Sequence, residues 1–344
     1  MGRFVLYLFT VCTAFACTYA VLPGLSHIFG KYLLDRPGGL KKHTNAVPVL
    51  GGCGIFAGLL IALFAIRFTT QFPSGTLHSL RGILLGGSII FIMGLWDDLK
   101  KPQGLPIWSK LLLQAAATVC LIRYGIVIHA ISPVWISYPL TFLWVVGLTN
   151  AFNLLDIMDG LCTTQSLVCT LGLFIISLPS EFIYVNFAAL ALLGAGAGFL
   201  PFNFSVKDKI FLGDSGSNLL GFLIASLGLA TSYSYNSSWG FLAPLLIVFL
   251  PIADISFVSF ARLLSGKNPL KGSADHAALR LQANGWGLKY ILAFFTLAGL
   301  LCNVLAFMVT ICAPGWVLPI LAIPIIAAVV WAKYLLTLGE SHAR

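Results

Sequence analysis

Residues 82–101 read Gly-Ile-Leu-Leu-Gly-Gly-Ser-Ile-Ile-Phe-Ile-Met-Gly-Leu-Trp-Asp-Asp-Leu-Lys-Lys. The stretch 82–96 carries no charge, and two adjacent carboxylates, Asp97 and Asp98, close it. The run is too long for an ordinary strand. In lipid, a helix is the form that pairs its backbone groups within one segment. Apolar runs of ~20 residues, the length that spans a bilayer, recur on both sides. They predict about eleven helices at 4–28, 46–66, 79–96, 109–130, 136–153, 160–178, 181–201, 211–232, 240–264, 288–312 and 315–336, with ends good to ~2–4 residues.

Composition agrees. Of 344 residues, 59% are apolar and 9% are charged, against about 45–50% and about 25% in soluble domains. That excludes a soluble fold, a disordered chain and a disulfide scaffold. The ~10-residue alternating segments of an outer-membrane barrel are missing. The expectation is an all-α polytopic membrane protein with about 11 transmembrane helices, a single integral-membrane domain over residues 1–344. The first run could pass for a signal peptide, but it continues past the usual ~7–15-residue apolar core and is read as a retained span. The eight cysteines lie almost all inside apolar runs, without CxxC or a Cys/His cluster, and read as packed free thiols.

Lys and Arg orient the chain. With the 29–46 loop in the cytoplasm, all 20 but Arg3, Arg67, Arg81 and Arg123 fall on that side. The N-terminus is then outside and the C-terminus inside. Of the eleven acids, only Glu181 falls elsewhere. Asp and Glu contribute little to topology, so acids gathered among bases on one face suggest a site. The expected active-site loops are about 29–46, 97–109, 153–160, 202–217 and 265–287.

Five segments carry chemistry. Asp97-Asp98 precedes Lys100-Lys101; the lysines alone would make a stop signal, so the acids are surplus. Asn150, Asn153, Asp156 and Asp159 recur every third residue, which on a helix makes one polar face; a polar helix seam is the bland alternative. Phe211-Leu-Gly213-Asp214-Ser215-Gly-Ser217 follows Lys207 and Lys209, and small residues at a helix start admit phosphate to backbone N–H groups. An ordinary N-cap would look the same. The 265–287 loop holds Lys267, Lys271, Asp275, His276 and Arg280, after an intramembrane acid, Asp254. Residues 35–52 run from Arg36, Lys41, Lys42 and His43 to Pro48 and Gly51-Gly52. Carboxylates without Cys or several His are hard oxygen donors suited to Mg²⁺ or Mn²⁺. Bases around them would hold phosphate. The pattern reads as metal-assisted phosphoryl chemistry at the inner face of a membrane, with no stacking-rich basic motif for nucleic acid.

These five elements, in order over about residues 35–285, resemble the polyprenyl-phosphate N-acetylhexosamine-1-phosphate transferases. The resemblance implies a reaction in which a UDP-HexNAc and polyprenyl (undecaprenyl) phosphate give polyprenyl-diphosphate-HexNAc and UMP. It implies Mg²⁺ as cofactor, with Mn²⁺ an alternative. The place would be the bacterial inner membrane, and the step the first membrane step of a cell-surface glycan pathway. By matched motif, Asp97 looks like the group that binds or deprotonates the lipid phosphate, supported by Asp98. Asp214 looks like the main metal ligand, with Asp98 and Asp156 beside it. Asp156 and Asp159 would organise metal and nucleotide. Phe211 resembles a ring that stacks on uracil. The implied substrate-binding set is Lys42, His43, Lys110, Asn150, Asn153, Phe211, Gly213, Ser215, Asp275, His276 and Arg280.

The sequence also departs from the family pattern. Where the family has N-F-x-P-A, this chain has Asn203-Phe-Ser-Val-Lys-Asp-Lys, one residue longer and without Pro. Leu279 stands where a further His is common, which points to a GlcNAc-type donor rather than MurNAc-pentapeptide. Ile157 replaces a small or polar residue. Two other readings stand beside the transferase: an inactive family member serving as a structural partner, and a polytopic transporter with a midplane ionisable site. The Gly54–Gly58 GxxxG suits packing within the chain better than pairing of copies, and a homodimer is left open.

Overall fold

The computed structural model describes residues 2–36, 46–69, 76–179, 183–230, 233, 237–266 and 275–340. Lys42, His43, Lys267 and Lys271 lie outside them. The chain forms two compact units, residues 1–231 and 232–344.

The first unit contains eight helices: α1 (Arg3–Phe29), α2 (Gly51–Thr69), α3 (Thr76–Leu99), α4 (Ile107–Arg123), α5 (Val134–Leu155), α6 (Leu161–Ser177), α7 (Ile183–Phe204) and α8 (Gly213–Leu229). The second contains a 3₁₀ turn (Gly240–Leu242), α9 (Ala243–Ile247), α10 (Phe249–Leu264), α11 (Ala277–Ala283), α12 (Leu288–Ile311) and α13 (Pro314–Glu340). Among the described residues, seven helices are long and apolar enough to cross a membrane. An eighth span arises if the 3₁₀–α9 segment and α10, bent by 59°, count as one. The chain is a helical multi-pass membrane protein. Each of the eleven expected segments meets a helix; α4, α6 and α8, at 17 residues each, sit at the lower end of the ~17–25 residues that span a bilayer.

Small residues assemble the first unit. A side chain at Gly54 or Gly58 would strike Leu22 or Thr18 of α1, and one at Gly194 or Gly198 of α7 would strike the carbonyls of Val11 or Phe15. The GxxxG therefore joins α1 to α2 inside the chain, where close approach lets Thr18 Oγ1 reach the Gly54 carbonyl (3.3 Å). In the second unit, Pro251 has no N–H to offer the Ile247 carbonyl, and the helix breaks at Val248.

Two features depart from the sequence reading. A two-residue antiparallel ladder pairs β1 (Leu34–Asp35) with β2 (Val47–Pro48). The chain then runs beside Phe211 and Leu212: Phe211 N–H donates to Pro48 O, Gly51 N–H to Phe211 O, and Gly52 N–H to Leu212 O, each at 2.9 Å. A Cβ at Gly52 would collide with the Gly216 backbone, so glycine is what permits this approach. Such a ladder is too short to leave an alternating pattern. The polar stripe, moreover, is not one helical face. Asn150 and Asn153 end α5, whereas Asp156 and Asp159 lie in the following turn. That turn closes on Gly160 at φ +76°, a left-handed conformation natural to glycine.

Candidate active site

The C-terminal ends of α3 and α5 and the N-terminal ends of α4 and α8 carry Asp97, Asp98, Asp156, Lys110 and Asp214. Gly94 makes the central contact possible. A Cβ there would lie 2.5 Å from both Asp214 O and Ser215 Cα, so α3 rides directly against the first turn of α8. Four residues on, Asp98 turns into that first turn. Its Oδ1 accepts the Asp214 N–H and its Oδ2 the Ser215 N–H, both at 2.9 Å. A carboxylate from one helix thus caps another, satisfying orphan donors at the positive end of the α8 dipole.

Two lysines fasten the cluster. Lys101 Nζ lies 2.8 Å from Asp98 Oδ1 and 3.4 Å from Asp214 Oδ1. Lys110 Nζ lies 2.8 Å from Asp97 Oδ2 and 3.1 Å from Asp214 Oδ2. The Leu105 N–H holds Asp97 Oδ1 at 2.5 Å. Burial opposes the charge on Lys101, but Asp98, Asp214 and Asp35 outweigh it and hold the ammonium above the usual lysine range. Lys101, read from sequence as a topology signal, therefore belongs to the site. The signal for it was its i+3 spacing from Asp98.

Asp156 differs. Among the described residues, its carboxylate has no hydrogen-bond or ion-pair partner, and it is exposed. Desolvation by the surrounding protein, then the charge of Asp214, pushes it up to about 7 against the pull of Lys101. Asp159 pairs instead with Lys209 (2.5 Å), whose Nζ also sits 5.7 Å from the Phe211 ring centre.

The amides act as struts. Asn150 and buried Gln114 exchange amide hydrogen bonds at 2.9 and 3.3 Å, and Asn153 Nδ2 donates to Ser217 Oγ at 3.0 Å. Asn203 accepts the Gly160 N–H at 2.6 Å and donates to Ile210 O at 3.0 Å, tying the Asp156–Asp159 turn to the approach to Phe211. Gln114 was not anticipated, nor was the pairing of Ser217 with Asn153, since nothing local marks these partners. Gly213, at φ +78°, makes the turn into α8. Ser215 Oγ is buried without a hydrogen-bond partner among the described residues, so only its backbone N–H serves the cluster.

The second unit gathers the remaining expected residues. Buried His276 Nδ1 lies 2.7 Å from Asp254 Oδ2, and Asp254 Oδ1 accepts the Ala277 N–H at 3.0 Å. Arg280 bonds Asp275 Oδ1 (3.1 Å) and Leu335 O (3.0 Å), while Arg262 lies 3.6 Å from Asp275. Beside them α10, α12 and α13 enclose a cavity of about 380 Å³. It is lined by Phe249, Asp254, Phe257, Phe295, Leu305 and Trp331, among others.

Among the described residues, no three His, Cys, Asp or Glu side chains converge so as to hold a metal ion by themselves. Mg²⁺ usually takes one or two carboxylates and lets substrate phosphates complete its shell. All-oxygen donors, one of them uncommitted at Asp156, fit such an open site.

A multi-pass helical membrane protein with a carboxylate–lysine cluster of this kind has the makings of a phosphoryl-transfer enzyme. Comparison narrows the class. The profile of glycosyl transferase family 4 matches residues 80–232, which include Asp97, Asp98, Lys110, Asp156, Asp159 and Asp214. The chain is 30% identical over 283 residues to a probable undecaprenyl-phosphate N-acetylglucosaminyl 1-phosphate transferase of Bacillus subtilis, covering 79% of this chain and 76% of that one. An undecaprenyl-phosphate alpha-N-acetylglucosaminyl 1-phosphate transferase of Thermotoga maritima is 31% identical over 271 residues, covering 77% and 78%. The Escherichia coli protein of the same description is 23% identical over 282 residues, covering 78% and 74%. The chain belongs to the polyprenyl-phosphate N-acetylhexosamine-1-phosphate transferase family.

Proposed function

We propose that the protein transfers HexNAc-1-phosphate, GlcNAc-type, from a UDP-sugar to undecaprenyl phosphate at the cytoplasmic face of the inner membrane. Products are UMP and the lipid diphosphate sugar, which would open a cell-surface glycan pathway. The observation that carries this reading is the clasp of Asp97, Asp98 and Asp214 by Lys101 and Lys110, with Asp156 left uncommitted beside it.

An oxygen of the lipid phosphate attacks the phosphorus that bears the sugar. The bond from that phosphorus to the bridging oxygen breaks, and UMP leaves with the electron pair. Such a transfer needs position and charge neutralisation more than covalent help. Lys101 and Lys110 supply fixed positive charge for the diphosphate and acceptor phosphate. Asp97 holds Lys110, and because a phosphate monoester is largely ionised near pH 7, Asp97 positions the acceptor rather than removing a proton. Asp98 fixes the start of α8 and so the direction of Asp214. Mg²⁺ held by Asp156 and Asp214 would neutralise charge on the diphosphate. Asp159, Phe211 and Asn153 border the nucleotide, and His276 contributes to anion or sugar binding.

The test is UMP release by purified protein in detergent with undecaprenyl phosphate and Mg²⁺. UDP-GlcNAc, UDP-GalNAc and UDP-MurNAc-pentapeptide are supplied separately, with an EDTA control. Metal-dependent release from UDP-GlcNAc alone is expected; no release from any donor overturns the reading.

A further inference from the structure

The cavity of about 380 Å³ in the second unit is kept open by small side chains: Ala298 lines it from α12, and Ala327 and Ala328 line it from α13. On α12 the lining runs from Phe294 to Leu305, ~17 Å at ~1.5 Å per residue. Half of a ~30 Å hydrocarbon core is close to that, so the slot has the length of one leaflet's chains. Leu301 and Ile323 line it and are nevertheless 65% and 54% exposed. Both belong to helices apolar enough to cross a membrane, so the mouth of the slot opens on lipid. Asp254, also in the lining, makes no demand on an occupant. Its Oδ2 is taken by His276 Nδ1 and its Oδ1 by the Ala277 N–H. A void between helices forfeits dispersion contacts on every wall, and a hydrocarbon chain from the bilayer restores them.

Charge says which lipid. Residues 290–332 contain no Asp, Glu, Lys or Arg, and Lys289 and Lys333 flank them. The two helices run antiparallel, with Phe294 stacked on Trp331 at 4.7 Å between ring centres, so both lysines stand at the same end of the slot. Both are exposed, and among the described residues neither ammonium has an acidic partner. This is the end that the distribution of Lys and Arg assigns to the cytoplasm, where the leaflet carries anionic lipid and basic pockets between helices bind its headgroups. We propose that the slot is a binding site for an anionic phospholipid, with an acyl chain between α12 and α13 and the phosphate on Lys289 and Lys333. The reaction's phosphates are assigned to Lys101 and Lys110, so this lipid is a ligand distinct from the acceptor. It packs beside Asp254 and steadies the clasp on His276 and Ala277.

The experiment strips lipid from the purified full-length protein in detergent and adds back phosphatidylglycerol or phosphatidylethanolamine with the same acyl chains. Native mass spectrometry reads bound lipid, and thermal unfolding reads its effect. Wild type is expected to bind phosphatidylglycerol about tenfold more tightly than phosphatidylethanolamine and to melt higher with it. The double variant Lys289→Gln, Lys333→Gln should weaken phosphatidylglycerol roughly fivefold per lysine, the scale of a base near an anionic surface, and leave phosphatidylethanolamine as it was. Ala298→Phe fills the slot from α12 and Ala328→Leu from α13. Each should lose phosphatidylglycerol while melting no lower than stripped wild type. Phosphatidylglycerol with brominated chains should quench the tryptophan fluorescence of wild type more than that of Trp331→Phe, a readout that needs no filled variant to fold. Filled variants that fold and still bind phosphatidylglycerol would overturn the site. Equal affinity of wild type for the two phospholipids would overturn the role of the lysines. Displacement of phosphatidylglycerol by an equimolar amount of undecaprenyl phosphate would give the slot to the acceptor and overturn the proposal as well.

Discussion

Asp98 of α3 caps α8 by accepting the backbone N–H of Asp214 at 2.9 Å, so the two acids are linked through main chain as well as through the Lys101 ammonium that both approach. With its second oxygen on Ser215 N–H and Lys101 at 2.8 Å, Asp98 is a strut whose loss strands two amides and a cation. Asp98→Ala should cost about 2–3 kcal/mol, a helix cap plus an unsatisfied buried group. It should also remove turnover. Thermal unfolding in detergent checks it. An unchanged midpoint with lost turnover would make Asp98 a direct ligand instead.

The fold was legible because bilayer-length apolar runs are local signals, and the approximate ends of α1, α3, α5, α7, α12 and α13 follow from them. The site was legible as composition, not as geometry. The Asp98 cap joins residues 116 positions apart, and Asn150 finds Gln114 36 positions away; spacing along the chain cannot announce either. The three-residue periodicity of Asn150 to Asp159 was misleading for a local reason. Asp156, at φ −80° and ψ +56°, has already left the helix, and the turn through Gly160 re-aims the last two acids. Asn203, which opens the stretch that departs from the family pattern, is placed by the structure in a buried bridge.

Asn203 gives a second prediction. Asn203→Ala leaves the Gly160 N–H and the Ile210 carbonyl without their partner. Each such loss costs about 1–3 kcal/mol when buried. The variant should be less stable and should raise the KM for the UDP-sugar more than it lowers kcat, because the turn carrying Asp159 loosens from the segment carrying Phe211. Steady-state kinetics beside a melting curve separates the two effects. A KM equal to wild type would show that the turn holds without this bridge.

Asp156 sets a pH dependence. Its carboxyl is raised to about 7 in the folded protein, above the usual ~3.9. Between those values the native state holds a proton that the unfolded chain has released. Stability of the metal-free protein therefore declines as pH rises through that window. Mg²⁺ binding runs the other way, since a ligand must be deprotonated. Apparent Mg²⁺ affinity should strengthen about tenfold per pH unit below 7 and level off above it. Asp156→Asn should bind more weakly and lose that slope. Calorimetric titration of Mg²⁺ from pH 5.5 to 8.5 reads both, and a wild-type slope retained in Asp156→Asn would remove Asp156 from the metal site.

Gly94 carries no charge and touches no substrate in this scheme, yet it decides whether the site forms. An added Cβ would sit 2.5 Å from Asp214 O and from Ser215 Cα. Those are backbone atoms of the first turn of α8, which cannot swing aside as a side chain could. Gly94→Ala must push α3 away from α8. The Asp98 cap lies one helical turn further on and would lengthen with it. The expected result is a loss of activity at least tenfold, with a stability cost of about 1–3 kcal/mol from overpacking. Gly147, on α5 with open space around its Cα, supplies the control: Gly147→Ala should leave both properties near wild type. If Gly94→Ala were fully active, contact between α3 and α8 would not be what aims Asp214. The direction of that carboxylate would then have to come from Lys101 and Lys110 alone.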